Sequence, residues 1–278
     1  MDHTNYWYGH ANVLARYCGL DPNDVPPVRG MLQHGWMFVH GYGYGHYGDW
    51  SLRKFVWSDM ARKRGVAIEW RNFWVTGAPY LYLLQLEPEP AVEREGTIWY
   101  PFHGTVDYEQ LEGSHSRLIE QIRDVEEGPV TICLYYVEYD DPAIRGEYED
   151  AGFRVVCHGR RGNQWKGDDP LFLYRQLAEQ RRHKRVASNR LSTAIFYGIA
   201  AGCEPAIYGD PMDMDNIKAG FNGTELLPAT FPELFGTHPD PEAARSIARR
   251  ELGADYLASP EELRYLLGWQ EPWLASSR

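Results

Sequence analysis

Alternation between strand-like and helix-like segments constrains the fold of this chain more than any other feature. From residue 130 onward, apolar runs typical of buried strands alternate with segments of helical spacing: strands at 130–139, 153–159, 185–190 and 205–210, helices at 141–152, 169–182 and 192–202. Strands and helices that alternate in this way predict βαβ units around a parallel sheet. The predicted class of this half is therefore α/β.

The first half shows a looser version of the same pattern. Strand-like runs precede polar turns or short helices. The last strand and helix of this half are predicted at 97–103 and at 114–126, and Ser114 is the predicted N-cap of the amphipathic helix. The polar stretch 126–129 then reads as a linker. We therefore predict two α/β domains, residues 1–127 and 128–258, followed by a C-terminal helix and tail at 259–278.

Bulk composition narrows the possible partners. The net charge of −11 argues against a nucleic-acid partner, because phosphate backbones are bound by basic faces. No apolar run approaches the roughly 20 residues of a membrane span, and the N-terminus has no basic, apolar signal pattern. The four cysteines are widely spaced and are expected to be reduced thiols. These features predict a cytoplasmic protein.

Polar turns follow four of the predicted strands: His34-Gly35, His103-Gly104, His158-Gly159 and Ser188-Asn189. Ligands of parallel α/β sheets bind at the carboxyl ends of the strands. The turns therefore predict one site in a cleft between the two domains.

The turn at 188–193 lies between a strand and a helix. It places Ser192 and Thr193 beside unpaired N–H groups at a helix N-terminus, where the dipole is positive, so it suits a phosphate group. The alternative is that one of these hydroxyls simply caps its own helix.

His34 is a candidate general base, since imidazole has an ordinary pKa near 6.5. Asp49 and Asp107 are rival bases in loops near His-Gly turns, and a structural role for His34 is the further alternative. The aromatic loop 41–50 beside Asp49 could stack on a sugar.

Three of these stretches resemble bacterial GT-B glycosyltransferases of surface-polysaccharide synthesis, similar to the sialyltransferase, Kdo-transferase and CDP-glycerol glycerophosphotransferase groups. They are residues 32–36, residues 156–160 and the turn at 188–194. The resemblance implies two Rossmann-like domains facing a central cleft. It also implies a C-terminal helix that crosses back to the first domain.

The resemblance implies that the second domain holds a nucleotide-activated donor, with the Ser/Thr turn on its phosphates and His158, with Arg160 or Arg161, beside it. The sialyltransferases carry His-Pro where this chain has His158-Gly159. With His103, the predicted donor-binding set is His103, His158, Gly159, Arg160, Ser188, Asn189, Ser192 and Thr193. The first-domain His34 matches the position of a catalytic His in the glycerophosphotransferases.

The predicted activity is transfer of a sugar or sugar-like group from a nucleotide-activated donor to a hydroxyl acceptor. A CMP- or CDP-type donor is favoured and no separate cofactor is expected. Arg and helix N–H groups could stabilise the departing phosphate, so no metal is expected despite the D-x-D triplet at 213–215. The alternatives are a nucleotide-sugar epimerase on the same fold and a non-catalytic nucleotide- or glycan-binding module.

Overall fold

A computed structural model describes residues 3–38, 51–104, 111–161, 169–214 and 224–270. The chain divides into two compact units: unit 1 is Met1–Pro88, Arg161–Leu173 and Arg249–Arg278, and unit 2 is Glu89–Arg160 and Tyr174–Ala248. Both units are mixed α/β structures with parallel sheets, in agreement with the predicted fold class.

The strands are β1 (Met31–Leu32), β2 (Lys54–Val56), β3 (Phe73–Val75), β4 (Thr97–Tyr100), β5 (Leu111–Glu112), β6 (Val130–Cys133), β7 (Arg154–Val156), β8 (Arg185–Ser188), β9 (Glu204–Ile207) and β10 (Asp213–Met214). The α-helices are α1 (His10–Tyr17), α2 (Asp59–Ala67), α3 (Pro79–Leu86), α4 (His115–Val125), α5 (Tyr136–Asp140), α6 (Pro142–Asp150), α7 (Phe172–Gln180), α8 (Thr193–Ala200), α9 (Leu227–Thr230), α10 (Pro241–Leu252) and α11 (Pro260–Leu267). Short 3-10 helices cover His3–Gly9, Thr224–Leu226, Pro232–Leu234 and Ala254–Tyr256.

Unit 2 is built on a parallel sheet of five strands in the order β7-β6-β4-β8-β9. Counted along the unit's own chain, this is the order 3-2-1-4-5 of a doubly wound, Rossmann-type sheet. In the central strand, Ile98 pairs with Thr131 of β6 on one side and with Val186 of β8 on the other. The strand order therefore reverses between β4 and β8, the position where such sheets bind ligands at their carboxyl ends.

The core of unit 2 explains why its strands read as continuous apolar runs. The buried strand residues include Ile98, Trp99, Ile132, Val186, Ala187 and Ala206. Parallel sheets covered by helices on both faces have strands of this kind. The helix α4 packs on this sheet and buries Leu118 and Ile122. Its N-cap is Ser114, as predicted, and the Ser114 hydroxyl accepts the Arg117 N–H.

A glycine allows α8 to lie close to the strand that precedes it. A Cβ atom at Gly198 would meet the Val186 side chain at 2.6 Å, so a larger residue there would push the helix off β8. This contact brings the first turn of α8 to the carboxyl end of β8.

Unit 1 contains a smaller parallel sheet in the order β1-β2-β3. Leu32 pairs with Phe55, and Phe55 pairs with Trp74. The connection from β2 to β3 runs through α2, which starts at Ser58 because the Ser58 hydroxyl accepts the Ala61 N–H.

The C-terminal segment belongs to unit 1, as the predicted crossing helix requires. The Arg29 N–H donates to the carbonyl of Leu267 at the end of α11, and the Trp269 indole donates to the carbonyl of Pro26. The segment joins unit 1 from Arg249 onward, earlier than the predicted start at residue 259.

The first predicted domain boundary also differs from the structure. The strand at 97–100 and the helix at 115–125 were predicted in the first domain, but both lie in unit 2, because β4 is the central strand of that sheet. The chain leaves unit 1 between Pro88 and Glu89, and it returns to unit 1 for Arg161–Leu173. The polar stretch 126–129 is the connection from α4 to β6.

A second correction concerns the strand predicted at 130–139. The structure ends this strand at Cys133 and forms the helix α5 from Tyr136. Tyr and Val favour strands, but β6 stops at the edge of the sheet, where no neighbouring strand continues beside it.

All four cysteines are free thiols, as predicted, and three of them are buried. Burial raises the pKa of Cys18 to about 11 and that of Cys203 to about 12, so both stay protonated at neutral pH.

In the part of the chain that the structure describes, no helix combines the length and the apolar character that a bilayer crossing requires.

A buried ion pair ties α10 to α2 within unit 1. The Arg64 guanidinium donates to both carboxylate oxygens of Glu251 at 2.7 and 3.0 Å, and the Trp36 indole donates to one of them at 2.8 Å. The Glu251 side chain is fully buried, whereas that of Arg64 is 13% exposed.

Replacing Glu251 by glutamine is expected to lower the free energy of unfolding by about 2–3 kcal/mol. A buried charge that loses its partner costs about 3–5 kcal/mol, and the exposed edge of Arg64 reduces that cost. Urea denaturation measures the change, and exchange of the exposed ion-pair member Arg249 for glutamine is the control, with an expected loss under 1 kcal/mol. Equal losses in the two variants would contradict the role of Glu251.

Candidate functional site

Three of the four predicted polar turns lie at one edge of the unit 2 sheet. His103-Gly104 follows β4, His158-Gly159 follows β7, and Ser188-Asn189 ends β8. This groups His103 with the second-domain residues, although the sequence placed it in the first domain. The fourth turn, His34-Gly35, follows β1 at the carboxyl edge of the unit 1 sheet.

The Asn189 side chain forms hydrogen bonds to the turn that follows β4 and to the turn that follows β9. Its side-chain oxygen accepts the Phe102 N–H at 2.7 Å, and its amide group donates to the Asp210 carbonyl at 2.7 Å. The side chain is 4% exposed. Asn189 therefore positions the ends of β4 and β9 rather than presenting its amide to solvent.

Arg190 and Ser188 also hold this edge together. The Arg190 guanidinium donates to the carbonyls of Pro211 and Met212 and lies 3.7 Å from the ring centroid of Phe102. The buried Ser188 hydroxyl accepts the Arg190 N–H. Both side chains fix the path of the turn that leads into α8.

Ser192 lies at the N-cap of α8, but its hydroxyl makes no capping hydrogen bond. The residue is half-buried and has the extended backbone of a cap, with φ −144° and ψ 171°. The structure therefore does not support self-capping by Ser192, the alternative that its residue type favours. Thr193 follows as the first residue of the helix, where backbone N–H groups have no intrahelical acceptor.

His158 is buried, with 3% of its surface exposed. Its Nε2 atom lies 3.0 Å from the Tyr100 hydroxyl, and its carbonyl accepts a hydrogen bond from Arg175. Burial lowers the pKa of His158 to about 3, so the ring is neutral at physiological pH. Gly159 follows with a φ of 108°, a conformation that favours glycine.

The two arginines that follow this turn belong to different units. Arg160 of unit 2 is exposed, pairs with Asp140 at 3.1 Å and lies over the Tyr136 ring. Arg161 belongs to unit 1, where it lies over the Trp7 ring and its carbonyl accepts the Tyr8 N–H. Of the pair, Arg160 is the one placed in the same unit as His158.

The turn after β4 is held by a carboxylate that the sequence analysis missed. Glu138, in α5, accepts the Gly104 N–H on Oε1 at 2.9 Å. His103 stacks on Tyr135 with ring centroids 4.1 Å apart, and its Nδ1 atom lies 2.6 Å from the Gly104 carbonyl oxygen. A lone acidic residue within the apolar run 134–139 was the available signal, but the strand predicted there concealed it.

His34 lies at the edge of the unit 1 sheet among aromatic rings. Its ring centroid is 4.5 Å from that of Trp7 and 5.2 Å from that of Tyr8. The Gln33 side chain holds the turn, because its amide donates to the Gly35 carbonyl and its oxygen accepts the Trp57 N–H. The half-buried imidazole therefore projects from a turn that is fixed to the end of β2.

Several predicted groups lie outside the described residues. These are the candidate bases Asp49 and Asp107, the aromatic loop 41–50 and Asp215 of the D-x-D triplet. Within the described residues, no cluster of three or more His, Cys, Asp or Glu side chains is arranged to hold a metal ion. The expectation that no metal is needed stays a prediction.

Comparisons with known proteins give only distant likenesses. No protein-family model matches the chain, and no curated protein matches it significantly. Among solved structures, the chain is similar to HepE from Anabaena, determined in complex with UDP and glucose, with 13% identity and a TM-score of 0.28 over 77% of this chain and 59% of that one. It is also similar to the lipopolysaccharide outer core galactosyltransferase WaaB in its apo form, with 12% identity and a TM-score of 0.26 over 80% of this chain and 58% of that one.

The match thus covers less than three fifths of the length of each of these two solved structures. Likenesses of this size define neither the site nor the activity of this chain. What the fold defines by itself is an α/β protein with a Rossmann-type sheet in unit 2.

Proposed function

We propose that the protein is a glycosyltransferase of the GT-B type that moves a sugar from a nucleotide-activated donor to a hydroxyl acceptor. The donor phosphates bind at the N-terminus of α8, beside the point where the strand order of unit 2 reverses. The observation that carries this proposal is the N-cap of α8, where Ser192 leaves its hydroxyl out of capping. The surface-polysaccharide groups that the sequence resembles use a Ser/Thr motif in this role.

The geometry supports phosphate binding at this position in two ways. The first turn of α8 presents backbone N–H groups that have no acceptor within the helix, and it carries the positive end of the helix dipole, which together favour an anion. The side chains of Asn189 and Arg190 fix the turn in advance, so that little ordering is needed when a ligand binds.

Hydrogen-bonding groups that are held in a fixed turn could also stabilise the negative charge of the departing phosphate, without a metal ion. In this scheme Asn189 and Ser188 position the turn, and His158 supports it from within through Tyr100. Ser192 and Thr193 contact the phosphates.

The free thiols fit a reducing compartment, so we place the reaction in the cytoplasm. The favoured donor is a CMP- or CDP-type sugar.

Thermal unfolding in the presence of CMP, CDP, UDP, GDP and dTDP sugars tests the proposal. A ligand at about 100 times its dissociation constant should raise the free energy of unfolding by roughly 2.7 kcal/mol. Stabilisation followed by sugar transfer only when an acceptor is supplied supports a transferase. Turnover without an acceptor would instead show an epimerase, and binding without any turnover a binding module.

Replacing Ser192 and Thr193 together by alanine is expected to weaken nucleotide binding by roughly 10- to 100-fold. This follows because hydrogen bonds to a charged phosphate contribute about 1.5–3 kcal/mol. Calorimetric titration measures the affinity, and Ser259→Ala is the matched control. Ser259 caps α11 in unit 1 with both bonds of a capping box, so its loss should cost about 1 kcal/mol of stability and leave nucleotide affinity unchanged. Unchanged affinity in the double variant would place the phosphates elsewhere.

A further inference from the structure

Glu138 carries a buried carboxylate oxygen to which no described residue donates a hydrogen bond. The residue is 5% exposed, and its Oε1 atom accepts the Gly104 N–H. Its Oε2 atom is buried and has no hydrogen-bond partner among the residues that the structure describes. An unsatisfied buried acceptor is costly, so an oxygen of this kind favours the binding of a hydrogen-bond donor.

No cation neutralises this carboxylate within the described part of the chain. Arg145, the nearest basic residue in sequence, donates to the Tyr139 carbonyl and pairs with Glu149. Arg160 is paired with Asp140 at the surface. From α6 the Tyr148 phenol faces Glu138, and it is already engaged with the Nδ1 atom of His115. In the described part of the turn after β4, the titratable group is His103. Burial raises the pKa of Glu138 to about 7.

The position of Glu138 in the sheet points to a ligand of the proposed nucleotide site. Glu138 follows β6 and binds the turn that follows β4, so it joins the carboxyl ends of two adjacent strands. That edge is the ligand-binding edge of a sheet with this strand order. Most hydrogen-bond donors of a nucleotide-sugar are hydroxyl groups, and a carboxylate oxygen accepts them strongly.

We propose that the free oxygen of Glu138 accepts a hydrogen bond from a hydroxyl group of the bound nucleotide-sugar, on the ribose or on the transferred sugar. This inference rests on the proposed function of unit 2. Glu138 is thus a specificity-determining residue that selects hydroxylated donors. The Gly104 N–H and the ligand hydroxyl would occupy the two oxygens of one carboxylate.

A pH dependence follows from the same arrangement. A hydroxyl donor stabilises the ionised carboxylate, so ligand binding lowers the pKa of Glu138 and releases a proton near neutral pH. Affinity should therefore be highest above pH 7 and should fall as the pH drops below it. Titrations in two buffers of different ionisation enthalpy measure the released proton in the unaltered protein.

The test compares the protein with its Glu138→Gln variant, which keeps an oxygen for the Gly104 N–H but has no charge. The probes are CDP, 2′-deoxy-CDP and CDP-glucose, with UDP, 2′-deoxy-UDP and UDP-glucose beside them, each titrated at pH 6 and pH 8. In the unaltered protein at pH 8, losing the contacted hydroxyl should weaken binding by roughly 10- to 100-fold. A preference for ribose over deoxyribose assigns the contact to ribose, and one for the sugar conjugate assigns it to the sugar.

In Glu138→Gln, that preference should shrink to about threefold or less, and the pH dependence should disappear. The matched control is Glu126→Gln. The Glu126 side chain, also in unit 2, is only 5% exposed, and both of its oxygens accept hydrogen bonds, from the hydroxyls of Thr97 and Tyr208. Its exchange should therefore leave the preference intact.

Two results would overturn the inference. One is full discrimination against the deoxy and unconjugated ligands in Glu138→Gln, and the other is binding without proton release near pH 7 in the unaltered protein. Both leave the proposed function standing, because nucleotides still bind. Absence of binding by every nucleotide and nucleotide-sugar would overturn the proposed function and this inference together.

Discussion

Acidification from pH 7 to pH 4 is expected to remove about 3 kcal/mol of unfolding free energy through His158 alone, and a similar amount through His10. Burial lowers the pKa of each imidazole to about 3, whereas an unfolded histidine titrates near 6.5. Below pH 6.5 the unfolded chain binds protons that the folded chain cannot bind. The stabilisation is therefore complete above pH 6.5 and is lost as the pH falls towards 3.

Urea denaturation at pH 7 and pH 4 measures this loss. His158→Gln keeps a hydrogen-bonding partner for Tyr100 and removes the titrating ring, so its unfolding free energy should fall by about 3 kcal/mol less than that of the unaltered protein. The control is His238→Gln, which replaces an exposed histidine of the same unit. A His158→Gln variant as sensitive to acid as the unaltered protein would show that this ring is protonated without unfolding.

The alternation of strands and helices, and the polar turns that end the strands, could be predicted because both are encoded locally. Periodicity defines each element within a few residues, and a strand that ends in His-Gly or Ser-Asn marks its own carboxyl end. The structure accordingly places Ser188 at the last residue of β8 and Ser114 at the N-cap of α4.

The assignment of strands to sheets could not be predicted in the same way. Two polar stretches, 87–96 and 126–129, are equally suitable as linkers by composition, and the predicted domain boundary lies at the second. The choice is decided by the pairing of β4 with β6 and β8, which are distant in the chain. Long-range pairing has no local signature, so His103 and Gly104 were assigned to the wrong half.

The roles of individual polar side chains depended on burial, which the sequence does not report. Asn189 and His158 were predicted to contact a ligand, and the structure gives both of them internal partners. Glu138 was overlooked, and one of its buried oxygens has no hydrogen-bond partner among the described residues. Residue type indicates which groups can bind a ligand, while the surrounding packing decides which of them remain available.

Replacing His34 by alanine is expected to lower donor-saturated turnover by about 10²–10⁴-fold, the usual contribution of a general base. This follows from the proposed function, with a neutral imidazole of unit 1 taking the proton of the acceptor hydroxyl. Nucleotide affinity should stay nearly unchanged, because the proposed phosphate site lies at α8 in unit 2. Steady-state kinetics with saturating donor, together with calorimetric titration of the nucleotide, measure the two quantities separately.

The alternative role for His34 is packing, since its ring lies against Trp7 and Tyr8. A base and a packing residue differ in their dependence on pH. If His34 is the base, turnover of the unaltered protein should fall at low pH with one protonation, whereas a packing role would appear as lost thermal stability in His34→Ala. Asp49→Ala and Asp107→Ala complete the comparison, because a carboxylate base would give the large loss of turnover in one of these variants and leave His34→Ala active. His34 would then be assigned to the aromatic packing around Trp7 and Tyr8, and the acceptor would be activated from one of the two loops that carry these carboxylates.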